Sequence, residues 1–145
     1  MKNMISMRFM AASLIACLVA STAGAAALRV SPITLDLKAS SPTATVRLWD
    51  DGLRPVKVQV RVFRWTKVNG KDRLDPTTDV VASPPITTLK PGTENLIRVV
   101  RVSKKPVNGT ESYRLLIDQL PDAGRKIPGQ INVMIRHSIP VRFTE

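Results

Sequence analysis

A chain of 145 residues with 22 basic and 11 acidic side chains carries a net charge of +11, and its length suits one modest domain. Apolar residues at 43% and charged residues at 23% match ordinary globular usage, which excludes a disordered chain and a multi-span membrane protein. Three Phe, two Trp and one Tyr are too few to fill a core and also stack on single-stranded nucleic acid, and a single His with a single Cys excludes a zinc site or disulfide framework built from this chain alone.

At the amino terminus, Lys2 and Arg8 precede an apolar run over 9–20 and the small residues Ser21, Thr22, Ala23, Gly24, Ala25, Ala26 and Ala27. This is the pattern of a secretory signal peptide, with cleavage after Ala25 the simplest choice. Residues 1–25 are therefore read as signal and 26–145 as a still strongly basic domain. Leu14-Ile15-Ala16-Cys17 also has the form of a bacterial lipobox, which would leave a lipid on Cys17. The apolar Leu18, Val19 and Ala20 stand where a tether is normally polar, and favour loss of Cys17 with the signal.

The remaining chain reads as strands, with Pro and Gly at nearly every boundary and no long stretch of clean helical period. A first strand over 28–37 carries Val30, Ile33, Leu35 and Leu37, and Pro32 demotes its early part to an edge or a switch between sheets. Ala44, Val46 and Leu48 then alternate with Thr45, Arg47 and Trp49 before a turn at Asp50-Asp51-Gly52, after which a hairpin partner is expected. Val56, Val58, Val60 and Val62 form that partner's apolar face. Phe63 and Trp65 take over the apolar parity, which predicts a bulge or a crossing between sheets.

Asn69-Gly70 is a strong type I′ turn signal. A short strand over 79–82 leads to Ser83-Pro84-Pro85, and Lys90-Pro91-Gly92 marks another turn. Strands over 94–102 and 111–120 flank a loop holding Pro106 and Asn108-Gly109. In the last strand Ile131, Val133, Ile135, His137, Ile139, Val141 and Phe143 share one parity. About seven strands at this spacing predict an all-β, immunoglobulin-like β-sandwich.

Catalytic chemistry finds little support. His137 and Ser138 are neighbours on a strand, so their side chains point to opposite faces and cannot form a base and nucleophile pair. Asp50 and Asp51 read as turn residues, and Asn108-Gly109-Thr110 as a turn rather than a glycosylation site. No cofactor, metal site or phosphate loop is expected. The positive charge is spread along the strands, which reads as a solvated basic surface able to steer an acidic partner. Nucleic acid is not an expected partner of an exported chain.

The stretch from Ala82-Ser83-Pro84-Pro85-Ile86 to Lys90-Pro91-Gly92, followed by Leu96-Ile97-Arg98-Val99 and then Ser112-Tyr113-Arg114-Leu115 to Leu120-Pro121, resembles the amino-terminal domain of periplasmic pilus and fimbrial assembly chaperones. The resemblance spans roughly 28–143. Val62-Phe63-Arg64-Trp65 and Ile139-Pro140 are most similar to the archaic branch of that chaperone-usher family.

This resemblance implies a non-enzymatic periplasmic chaperone whose last strand completes a pilus subunit by β-augmentation, before handing it to an outer-membrane usher. The matching donor residues are Ile131, Val133 and Ile135, whereas Ile139, Val141 and Phe143 are assigned to the domain's own core. The family's carboxylate anchor is altered: Ile33 and Thr34 stand near its first-strand Arg, and Pro140 at its last-strand Lys. Arg114 is the expected substitute, with Arg142 the weaker candidate. Arg98 is assigned to a buried structural ion pair, although its usual Glu partner is Gln119 here. The family's second domain is expected to be absent, since the chain stops at Glu145. Without a client, the donor strand is expected to self-associate. The competing expectation is a truncated or single-domain exported structural or interaction module, secreted or lipid-anchored, that shares only the sandwich.

Overall fold

The computed structural model describes residues 28–122, 124 and 133–145; the expected signal segment with Cys17, and the donor candidate Ile131, lie outside them. Period-two alternation gives ten strands: β1 (Leu28–Ser31), β2 (Leu35–Lys38), β3 (Thr43–Asp50), β4 (Val56–Val68), β5 (Lys71–Pro76), β6 (Val80–Ser83), β7 (Ile86–Leu89), β8 (Asn95–Arg101), β9 (Thr110–Gln119) and β10 (Arg136–Thr144). No helix occurs among the described residues. One sheet has the order β1-β3-β8-β6 and the other β2-β10-β9-β4-β5, with β7 also on β4. Their inner faces form the immunoglobulin-like sandwich that the strand pattern predicts.

Pro32 marks a switch between sheets. Before it, β1 pairs antiparallel with β3; after it, β2 runs parallel to β10, with Leu35 opposite Val141 and Leu37 opposite Phe143. Val46 and Leu48 on β3, Ile97 and Val99 on β8, Val58 and Val60 on β4, and Leu115 and Ile117 on β9 meet in the core. Val141 and Phe143 join them, and the Phe143 ring packs edge-on against Tyr113 with centroids 5.9 Å apart.

The turn at Asn69-Gly70 takes the form its sequence predicts. Both residues have positive φ, 51° and 75°, and a two-residue loop joins Val68 to its partner Lys71. Two other expectations fail. β3 and β4 are not a hairpin: β3 pairs with β1 and β8, and β4 with β5, β7 and β9 in the opposite sheet. The Asp50 carboxylate accepts the Gly52 amide at 2.9 Å, closing a corner that carries the chain across the sandwich. Nor is there a bulge at Phe63, because β4 keeps an unbroken register with β9 from Val58 through Arg64. The parity changes because Arg64 takes an inward position, where it meets Asp79 at 2.6 Å and the Tyr113 hydroxyl at 2.9 Å, leaving Phe63 and Trp65 on the outer face.

A buried leucine at the centre of this core should tolerate truncation poorly. Leu115→Ala is expected to lower stability by about 3 kcal/mol in a denaturant melt, while Leu53→Ala, at a site 96% exposed, changes it by less than about 0.5 kcal/mol.

Candidate functional site

β10 is covered unevenly along its length. Over its whole run it pairs with β9, but β2 pairs only with Val141 to Thr144. The Gln119 amide donates to the Ile135 carbonyl at 3.0 Å, so residues of odd number turn their backbone groups toward β9. Arg136, Ser138 and Pro140 then turn theirs toward the other edge, where no strand among the described residues pairs with them. Pro140 has no N–H to leave unpaired there.

The side chains change burial along the same strand. Ile139, Val141 and Phe143 are buried in the domain's core. Ile135 packs partly against that core, and Val133, on the same parity, is 75% exposed. Met134 on the opposite parity is also exposed, and it joins Ile135 and Arg136 around a shallow cavity of about 300 Å³ beside Asp118 and Gln119. An open backbone edge and an uncovered apolar side chain thus occur together at the start of β10.

The outer face of the same sheet carries arginines laid on aromatic rings. Arg114 sits between Phe63 of β4 and Pro140 of β10 in the strand register, and its guanidinium carbon lies 3.9 Å from the centre of the Trp65 ring. Arg61 lies over Phe63 at 5.5 Å. The candidate anchors differ in their surroundings: Arg142 is bound to Asp36 at 3.0 Å, whereas Arg114 meets an aromatic face and no carboxylate among the described residues. The Trp65 indole N–H, buried beneath, has no acceptor there.

Residues 27–144 match the family described as pili and flagellar-assembly chaperone, PapD amino-terminal domain. The chain belongs to that chaperone family. Among solved structures it is similar to the Acinetobacter baumannii CsuC–CsuE chaperone–tip adhesion subunit pre-assembly complex of archaic chaperone-usher Csu pili, at 25% identity and a TM-score of 0.71 over 81% of this chain and 56% of that one. The fold is also shared with a CFA/I chaperone–tip adhesin complex, at 16% identity and a TM-score of 0.68 over 80% and 55% of the two chains. A Salmonella enterica SafA pilin–SafB chaperone complex shares it at 18% identity and 0.64 over 81% and 54%. The chain thus spans little more than half the length of the chains it matches. A search of curated protein sequences gives no match.

In this chaperone domain the buried arginine pair is not where the sequence places it. Arg98 is exposed, because it shares the outward parity of Leu96 on β8, and it makes no ion pair among the described residues; Gln119 lies in the other sheet. Three residues on, at the inward parity of Ile97 and Val99, Arg101 is buried and donates from its Nε and Nη2, one edge of the guanidinium, to the two Glu111 carboxylate oxygens at 2.9 and 3.0 Å. It also donates to the Ser103 and Lys105 carbonyls at 2.7 Å each, holding the loop after β8. The Arg101 hydrogen bond holds the Glu111 carboxyl below its ordinary pKa, and the Arg64 hydrogen bond does the same for Asp79. His137 makes a plain structural contact, its Nε2 2.9 Å from the Leu28 carbonyl oxygen.

Tyr113, the only tyrosine in the chain, donates its hydroxyl to Glu111 at 2.9 Å. Burial and then that hydrogen bond push the phenol well above the usual tyrosine range. A pKa raised by folding contributes stability that is complete below the unfolded value, near 10 in the usual scale, and fades as the pH climbs above it. The folded domain is therefore expected to show almost no tyrosinate absorbance at pH about 11, where free tyrosine is mostly ionised. Tyrosinate appearing at that pH while circular dichroism stays native would contradict the buried network.

Proposed function

We propose that this domain acts in the periplasm as a non-enzymatic chaperone that holds a pilus subunit by lending it the segment that leads into β10 together with the open edge of that strand. The observation that carries this reading is the coincidence of an unpaired backbone edge at 136–140 with Val133 exposed directly ahead of it. A subunit strand added there would gain main-chain hydrogen bonds from the edge. Apolar side chains of one parity, Ile131, Val133 and Ile135, would enter the subunit's incomplete core. The solved complexes of similar fold, described as pairing a chaperone with a tip subunit or a pilin, support the choice of partner.

Arg114 is assigned to the subunit's terminal carboxylate. Its guanidinium is laid on Trp65 with no acid of the described chain to neutralise it, and a planar fork suits a carboxylate. It stands directly across from Pro140, the position at which the resemblance implies the family's usual Lys, so the positive charge is moved by one strand rather than lost. Arg142, already bound to Asp36, serves the β10–β2 pair instead. Release to an outer-membrane usher completes the proposed role.

Co-expression with a pilus subunit and recovery through a tag on the domain tests this. Val133→Asp is expected to abolish capture with the circular dichroism spectrum unchanged, because a carboxylate would enter an apolar groove unpaired. Arg114→Ala should weaken capture by about tenfold or more, as expected for a lost charged hydrogen bond. Full capture by folded Val133→Asp would refute strand lending, and full affinity in Arg114→Ala would refute the anchor alone.

A further inference from the structure

Asp118 lies on the outer face of β9, yet its side chain is only 12% exposed because two arginines close over it. Arg61 of β4 donates to its Oδ2 at 2.6 Å, and Arg136, the first residue of β10, donates to its Oδ1. Arg136 is also the register partner of Asp118, and the next pair along the ladder is Ile135 opposite Gln119. One carboxylate thus ties three adjacent strands at the point where β10 begins. Burial alone would raise its pKa, but Arg136 and Arg61 outweigh burial and hold the carboxyl below the usual range, so it is charged at neutral pH.

The position is mechanically telling. Val133 and Met134 are exposed, and β2 does not reach this end of β10. Few apolar contacts therefore specify the register here, and in a strand a slip of one residue exchanges the two faces. We propose that Asp118 is a positioning residue for the lent segment, fixing through Arg136 the register at which β10 leaves the sheet and hence the face to which Val133 and Ile135 belong. This inference rests on strand lending as the proposed function. Arg61 acts as the counterweight that ties the carboxylate to β4.

Two neighbouring amides report on it separately. The Gln119 N–H is donated to Ile135 of β10, and the Leu120 N–H to Lys57 of β4 at 2.8 Å. In Asp118→Asn, and in Arg136→Gln at a side chain 61% exposed, hydrogen exchange of the folded domain should show Gln119 protection reduced about tenfold with Leu120 protection kept. The double variant should add little to either single change, and a captured subunit should be lost about tenfold faster from each. Equal loss at both amides, marking general destabilisation, or no loss at Gln119, would overturn the assignment. Because the exchange measurement needs no subunit, it is independent of strand lending: undiminished capture by Val133→Asp would overturn that reading whatever the amides show.

Discussion

A β-strand cannot change which face a side chain occupies without breaking its ladder, and one parity runs from Val133, just ahead of β10, to Phe143 near its end. At its far end that parity points into the domain's own core, where Val141 and Phe143 are fully buried. At its near end the sandwich stops and the same parity faces outward, with Ile135 half covered and Val133 bare. The apolar row that holds this domain together is therefore continuous with the row available to a partner. Packing sets the parity at one end, the Asp118–Arg136 tie is proposed to hold it where β10 begins, and together they link the stability of the domain to its proposed work.

The edges of the sheet obey the same economy. The switch at Pro32 takes the first strand out of one sheet and into the other, so that β2 covers only the last four residues of β10. An unpaired edge is a hazard for a soluble protein. Here it is short, contains Pro140 at an outward backbone position, and is flanked by Arg136. Charge is arranged to match. The acids Asp36, Asp79, Glu111 and Asp118 are each bound to an arginine, while Arg114 rests on an indole ring instead. A chain with twice as many bases as acids thus uses these four carboxylates within the fold and leaves positive charge on the proposed binding face.

Much of this was legible in the alternation alone. The valines of β4, the faces of β3, an edge or sheet switch at Pro32, the Asn69-Gly70 turn and the shared face of Ile139, Val141 and Phe143 follow from period and turn chemistry, whereas the assignment of those three to the domain's own core came with the family resemblance. Sheet membership was not, because the turn after Asp50 closes a corner as readily as a hairpin, and only the non-local pairing with β8 decides between them. The parity change at Phe63 resembles a bulge in sequence, and nothing local announces that Arg64 turns inward to acid and phenol partners 15 and 49 residues away. Arg101 is a different case. Its inward parity with Ile97 and Val99 was visible, and alternation would have preferred it to Arg98 as the buried partner. Of the candidate site, Arg114 was suggested by a motif, whereas the Trp65 ring beneath it and the Asp118 tie depend on neighbours across strands.

The central claim is that the segment entering β10 lies inside a partner's fold when a subunit is bound. The most direct test places a photo-reactive side chain at position 133, and separately at Leu96, an exposed apolar residue on the opposite sheet, in domains co-expressed with a pilus subunit. Strand lending predicts a strong cross-link from 133 to the subunit and none from 96. Cross-links of equal yield from both, or none from 133 while the complex still forms, would contradict it.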